Sequence, residues 1–473
     1  MNADLFIAGA WRPGADGGRF DVTDPADGST IARFAIATAR DCDDAVDAAA
    51  AAQSGWAATA PRERSELLRA AYELLTDEVE AVAELIVREN GKAWADAVGE
   101  ASYAKEFFRW FAEEAVRVRG DYRLSPAGDK RIVVDHQPIG VSVLITPWNF
   151  PAAMAARKLA PALAAGCTTI LKPASETPLT AAYLVEALRR VGVPAGVVNL
   201  VTPRPVGALV QRMLDRPEVR KLSFTGSTEV GRALLHACAD SIVSASMELG
   251  GNAPAIVLPG ADLDVTVEGA LVAKMRNGGA ACTAANRFYV HSALHAAFVE
   301  RMDAALSGFA TGPGLVRDHT LGALVSVAER DKVAALVDAA VADGATLVRG
   351  GTVSPRGAFY DATLLTGVEH GSAITTTEIF GPVTAVIRFD DVDDAVRMAN
   401  DTEHGLMAYV FGEERAALAV AGRLEAGMVA VNRGVVSDPA APFGGVKQSG
   451  LGREGASEGI LEFLETKYIA VPA

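Results

Sequence analysis

Cysteine is scarce: Cys42, Cys167, Cys238 and Cys282 are the only four among 473 residues. None is spaced as C-x-x-C, so neither a disulfide framework nor a metal site is expected, and reduced thiols in a cytoplasm are. Met1 to Gly9 has no basic segment followed by an apolar one, so no secretion signal is expected. Apolar runs such as Ala45 to Ala52 are short and interrupted, which excludes a membrane span. Tandem repeats are absent, and the only compositional bias is toward alanine. Basic residues are outnumbered, 44 Lys and Arg against 59 Asp and Glu, and the net charge of -15 argues against nucleic acid or an anionic membrane as partner. An anionic small substrate stays open, because local arginines can outweigh the global field.

What is present describes an ordinary globular chain, 50% hydrophobic and 22% charged, long enough for two or three domains. Helical patterns cover Asp43 to Trp56, Arg62 to Arg88 with Gly91 as a left-handed cap, and Trp94 to Val116. From Gly140 the pattern alternates: strand to Ile145, helix Ala152 to Ala165, strand Thr168 to Leu171, helix Leu179 to Val191, strand Val197 to Val201. It continues with helix Val206 to Leu214, strand Lys221 to Phe224, helix Thr228 to Ala239 and strand Ile242 to Ser246. This predicts a parallel sheet with helices on its faces and ligands at the carboxyl ends of its strands. Glu248-Leu249-Gly250-Gly251-Asn252 interrupts the alternation and marks a domain boundary, beyond which a second alternating region runs to Asn432.

Several short stretches can carry chemistry. Arg276 to Arg287 reads as a helix end, a glycine turn and Cys282 among small residues, leading into an apolar strand. A thiol placed so can attack a carbonyl carbon, although an unperturbed thiol of pKa ~8.5 is only a few per cent thiolate at neutral pH. Cys282 is equally well a small buried hydrophobe. Phe224-Thr225-Gly226-Ser227-Thr228 ends a strand and opens a helix whose N–H groups can accept a phosphate, but it is not G-x-G-x-x-G and also reads as an ordinary turn. Lys172 and Ser175 follow another strand end and suit a ribose 2′-phosphate, or a surface lysine and a helix cap. In Thr146-Pro147-Trp148-Asn149-Phe150-Pro151, Asn149 offers an amide donor for an oxyanion, or is a structural asparagine. Glu248, beside a Gly-Gly pair, reads as a general base or as an exposed glutamate, and Glu378 can accept from ribose hydroxyls.

Taken together and in this order, these segments resemble the aldehyde dehydrogenase superfamily over almost the whole chain. Pro147-Trp148-Asn149-Phe150-Pro151, Lys172, Phe224 to Thr228, Glu248-Leu249-Gly250-Gly251, Cys282, Glu378-Ile379-Phe380-Gly381-Pro382 and Pro442-Phe443-Gly444-Gly445 carry the resemblance. It implies an α/β fold: a Rossmann-like dinucleotide-binding domain (1–118 and 139–247), an α/β catalytic domain (248–445), and a small β bridging or oligomerisation segment (119–138 and 446–473). It also implies a homodimer or homotetramer. Carried over, Cys282 is the nucleophile, Asn149 and the Cys282 N–H hold the oxyanion, and Glu248 activates the water that hydrolyses the thioester. Thr146, Pro147, Trp148, Lys172, Ser175, Gly226, Ser227, Glu378 and Phe380 are implied to hold the cofactor.

Two details narrow the resemblance. Ser175 stands where many NAD-preferring members have a glutamate, which predicts that NADP is accepted and preferred, with NAD possible; Glu176, one residue on, works against this. Arg157, Arg276 and Ser437 match the residues that hold the distal carboxylate in succinate-semialdehyde dehydrogenases. The expected reaction is therefore NAD(P)-dependent oxidation of succinic semialdehyde to succinate. One methylene is worth only ~1–3 kcal/mol, so glutarate semialdehyde or another carboxylated aldehyde is the alternative. A CoA-acylating activity is disfavoured by Glu248. A non-catalytic nucleotide-binding relative is the reading from another class, and Ala280, where a polar residue is common, is the feature that leans that way.

Overall fold

The computed structural model describes residues 2–473 and contains two large sheets. The first has eight strands. Its central five are parallel, in the spatial order Val198–Leu200, Thr169–Lys172, Val141–Ile145, Val219–Thr225, Ser244–Glu248. The chain starts this block in the middle, winds outward one way, then returns and winds the other way. The direction reverses between Val141–Ile145 and Val219–Thr225, and a crevice opens at the carboxyl ends of a sheet at such a point. The helices Pro151–Ala165, Pro178–Arg190, Val206–Leu214 and Thr228–Ala239 connect these strands. Pro151–Ala165 is buried along its whole length, which suits its alanine, leucine and methionine and leaves Arg157 and Lys158 needing buried partners.

The second sheet has seven strands, in the order Thr346–Arg349, Thr363–Thr366, Val383–Phe389, Ala285–His291, Ala253–Val257, Met407–Phe411, Met428–Val431, all parallel except the first. The boundary expected at Glu248 to Asn252 falls between the last parallel strand of one sheet and the first strand of the other. Cys282, Gly251 and Glu378 all precede strands of the second sheet. The cleft thus joins the carboxyl edge of one sheet to the amino edge of the other. The rule that ligands sit at carboxyl ends accounts for only half of it.

Some elements differ from the sequence pattern. The helix expected over Arg62 to Arg88 is two, Pro61–Asp77 and Val79–Asn90, separated at Glu78 (φ -112°). The strand expected at Ile242 to Ser246 is Ser244–Glu248, because Ile242 lies in a turn at φ 52° and is 89% exposed. Of the segment 446–473, only Leu464–Pro472 joins Lys130–Pro138 and Asp121–Leu124 in a three-stranded antiparallel sheet. Gly450–Leu451 pairs instead with Met247 and Glu248, satisfying the free backbone edge of the first sheet.

Candidate active site

A cavity of about 1060 Å³ lies between the two edges. The expected nucleophile, base and oxyanion donor, Cys282, Glu248 and Asn149, all line it. So do all nine residues expected to hold a cofactor: Thr146, Pro147, Trp148, Lys172, Ser175, Gly226, Ser227, Glu378 and Phe380.

The cysteine loop is built by backbone conformation. After the helix Leu263–Met275 the chain makes a short turn in which Asn277 takes φ 57°. Gly279 is required: a Cβ there would stand 2.1 Å from the Gly381 carbonyl oxygen. Gly251 is required for the same reason, since its Cβ would meet the Cys282 carbonyl oxygen at 2.4 Å. Cys282 is half-buried, with its thiol raised well above the ordinary range by burial and by the Glu248 charge. Arg157 pulls it the other way.

Asn149 is 3% exposed. Its Nδ2 donates to the Ala280 carbonyl at 3.3 Å, and its Oδ1 is buried without a partner. The Asn149 backbone carbonyl accepts from Lys92 Nζ at 2.8 Å and from Asn277 Nδ2 at 2.9 Å, and Asn277 Nδ2 also donates to Ala280 O at 2.7 Å. The residue at 280 therefore contributes through its backbone carbonyl, so an alanine side chain is sufficient there. Lys92, Asn277 and Glu100 were not singled out from the sequence. The Asn-Gly pair at 277–278 is the one local signal, because Asn before Gly favours a left-handed turn. Lys92 is held by Glu100 at 2.5 Å, and Glu100 also accepts from the N–H groups of Ala152 and Ala153.

Glu248 is 3% exposed, and both its carboxylate oxygens lack a hydrogen-bond partner among the described residues. Burial pushes its carboxyl up to about 7, with Arg157 and the Cys282 thiol acting in the opposite direction. Glu378 is pushed up to about 8 by burial and by the Glu248 charge, while the Gly251 N–H, 3.3 Å from Oε1, opposes the shift.

The cavity fits a dinucleotide. At one end, Ser227 caps the helix Thr228–Ala239 through Val230 N–H, leaving the helix start facing the cavity. Thr225 Oγ1 is buried without a partner on the same wall. The Trp148 and Phe380 rings meet edge to face at 5.3 Å. The Lys172 ammonium has no hydrogen-bonding partner among the described residues, and Ser175 lies in the same wall.

The three residues expected to hold the substrate carboxylate lie outside this wall. Arg157 is 2% exposed, with Nε 2.6 Å from Glu454 and its guanidinium 4.1 Å above the Phe443 ring. Lys158 reaches the other oxygen of Glu454 at 2.5 Å. Arg276 is half-buried, 5.4 Å above the Phe150 ring, and makes no ion pair among the described residues. Ser437 is half-buried on the loop after Met428–Val431. Of the two arginines, Arg157 shares the single Glu454 carboxylate with Lys158, and Arg276 pairs with no carboxylate among the described residues.

Known proteins bear on this arrangement. The aldehyde dehydrogenase family model matches residues 11–469. The chain is 48% identical over 443 residues to a succinate-semialdehyde dehydrogenase of Paenarthrobacter nicotinovorans, covering 93% of this chain and 98% of that protein. It is 44% identical over 467 residues to a glutarate-semialdehyde dehydrogenase of Pseudomonas putida, covering 98% and 97%. A crystal structure of an NADP-dependent enzyme of Escherichia coli superposes with a TM-score of 0.98 at 44% identity, covering 100% of this chain and 98% of that one.

Proposed function

Because the chain belongs to the aldehyde dehydrogenase family, we propose that it oxidises succinic semialdehyde to succinate with NADP as the preferred acceptor. The chain is an NAD(P)-dependent aldehyde dehydrogenase; the substrate, the cofactor preference and the residue roles are the proposal. The observation that carries it is the meeting of Cys282, Glu248 and Asn149 in one cavity, each with its reactive atoms left unpaired or weakly paired.

Cys282 Sγ attacks the aldehyde carbon and gives its proton to Glu248, whose carboxyl near 7 is poised to accept at neutral pH. The second N–H of Asn149 Nδ2 and the Cys282 backbone N–H hold the oxyanion of the thiohemiacetal. One such donor is worth about 3 kcal/mol in comparable sites. The nicotinamide cofactor, when bound, supplies the hydride acceptor that makes oxidation to the thioester possible. Glu378 holds the nicotinamide ribose, and Lys172 and Ser175 the adenosine ribose. Glu248 gives up the thiol proton to solvent, and the regenerated carboxylate then takes a proton from the water that attacks the thioester, with the Cys282 sulfur leaving as thiolate.

Arg276 receives the distal carboxylate, and Ser437 supplies a hydroxyl donor to it. Arg157, tied to Glu454, shapes the field around Cys282 and Glu248. Glutarate semialdehyde is the second reading, favoured by the relative from Pseudomonas putida. The exposed Tyr122, Leu124 and Tyr468 on the three-stranded sheet support self-association as a dimer or tetramer through that bridging segment. Four unpaired cysteines support a reducing cytoplasm. No helix among the described residues is long and apolar enough to cross a membrane.

The test is kcat/KM for succinic semialdehyde against butyraldehyde, its uncharged analogue. With Arg276 left unpaired by butyraldehyde, the acid should be favoured by at least ~100-fold. Equal values for the two would refute a carboxylate-binding substrate pocket.

A further inference from the structure

The glycine-rich stretch 442–455 carries part of the family resemblance, and its turn at 446–450 has no role in the reaction above. That turn lies against the linker joining the two sheets. Ser449 N–H donates to Val446 O at 3.1 Å, closing the turn, and Lys447 within it takes φ 54°. Gly450 then pairs with Glu248, and Leu451 with Met247. Ser449 is fully buried and does not line the cavity, so it can act on the reaction only through the residues it holds.

Those residues carry the base. Glu248 O accepts from Gly226 N–H at 3.1 Å, and Leu249 N–H donates to Ser449 O at 2.9 Å. Gly250 O accepts from Ser449 Oγ at 2.7 Å, and Gly251 N–H reaches Glu378. Two of these four bonds end on Ser449. Its hydroxyl also accepts from Gly405 N–H at 2.9 Å, which ties the linker to the segment entering Met407–Phe411. Gly250 and Gly251 offer no side chain to pack, so the main-chain bonds fix the linker's path. Both carboxylate oxygens of Glu248 lack a partner among the described residues. A side chain without a bond at its charged end is aimed by its own backbone, and a small misplacement of a catalytic group is costly in rate.

We infer that Ser449 is a positioning residue for the general base: by holding Leu249 N–H and Gly250 O it keeps the Glu248 carboxylate aimed at the water that attacks the thioester. The inference rests on the role of Glu248 proposed above. It is tested on the full-length protein by the single-turnover rate of acid release from succinic semialdehyde with NADP bound, beside the NADP Kd from a fluorescence titration. Ser449→Ala should release acid about tenfold more slowly, with Kd within about twofold of the parent. Ser449→Cys, whose thiol is a weaker donor in the same place, should recover part of the rate. Thr168→Ala is the comparison: it loses an equally buried hydroxyl, bonded to Ala49 O at 3.0 Å and outside the cavity wall. It should lower Tm and leave acid release unchanged. If Ser449→Ala also lowers Tm with acid release unchanged, Ser449 only packs and the inference is overturned. A matching loss of NADP affinity assigns Ser449 to the shape of the cofactor cavity and overturns it too. Where Ser449→Ala does not fold, Ser449→Cys is read alone, and a rate equal to the parent's overturns the inference. A parent that releases no acid overturns the proposed reaction itself, which keeps the two failures distinct.

Discussion

Two buried polar regions lie within a few residues of each other in this molecule and are treated in opposite ways. Behind the Asn149 loop, Lys92 and Glu100 are both almost fully buried and paired: they lie 2.5 Å from each other, Lys92 also donates to Asn149 O and lies over the Phe150 ring, and Glu100 accepts from Ala152 N–H and Ala153 N–H. On the cavity side, Glu248 is as deeply buried and has neither oxygen matched, and Asn149 Oδ1 is orphaned too. Buried polar atoms are normally paired, because leaving one unpaired costs about 1–3 kcal/mol. The matched region therefore braces the loop, and the unmatched one leaves three acceptor oxygens open, two of which the proposed reaction uses to take protons.

The largest effect expected from breaking this contrast is on the matched side. Glu100→Gln leaves the Lys92 ammonium buried without a counter-charge and removes the carboxylate that holds the start of Pro151–Ala165. A loss of about 3–5 kcal/mol of stability is expected, measured by denaturant unfolding. If the variant unfolds no more readily than the parent, Lys92 and Glu100 do not brace the loop. Next in size is Asn149→Ala, on the unmatched side. It should lower kcat by about 10²–10³-fold, leave cofactor affinity unchanged in a fluorescence titration, and shift stability by less than about 1 kcal/mol. A large loss of stability with little loss of rate would move Asn149 to the structural side of the contrast.

The same contrast explains what could be read in the chain beforehand. The alternating block from Gly140 to Ser246 was legible because each strand is a short apolar run and each helix has its own start and stop. The helices at Val206–Leu214 and Thr228–Ala239 fall where their patterns place them. Leu464–Pro472 and Asp121–Leu124 were not, since these strands are exposed on both faces and carry no period-2 pattern. In the site, groups whose type alone suits the chemistry could be named: a thiol, a carboxylate, an amide. The bracing residues could not. Lys92 is 57 positions from the carbonyl it holds, and its burial is a property of the packed helices rather than of its neighbours in sequence. Arg157 shows the converse: the family resemblance carried it over as a substrate ligand, while the carboxylate it meets in the fold is that of Glu454, almost 300 residues further along the chain.

The smallest of the effects is also the one with opposite signs for stability and rate, and Glu248→Gln isolates it. A carboxyl raised from 4.5 to about 7 on folding binds more protons in the folded chain than in the unfolded one between those values. Stability from this group is therefore greatest below pH ~4.5, falls as the pH rises through the window, and settles at a constant deficit above pH ~7. At roughly 1.4 kcal/mol per pH unit the deficit is on the order of 3 kcal/mol. Glutamine has no charge to desolvate, so Glu248→Gln should match the parent in Tm near pH 4 and exceed it by a few degrees at pH 8. Turnover runs the other way. In the parent it rises through pH ~7 as the base ionises, and in the variant it is low and flat because the thioester is no longer hydrolysed at a useful rate. A Tm difference independent of pH would mean that Glu248 is not desolvated in the folded chain, and the unmatched half of the contrast would lose its physical cause.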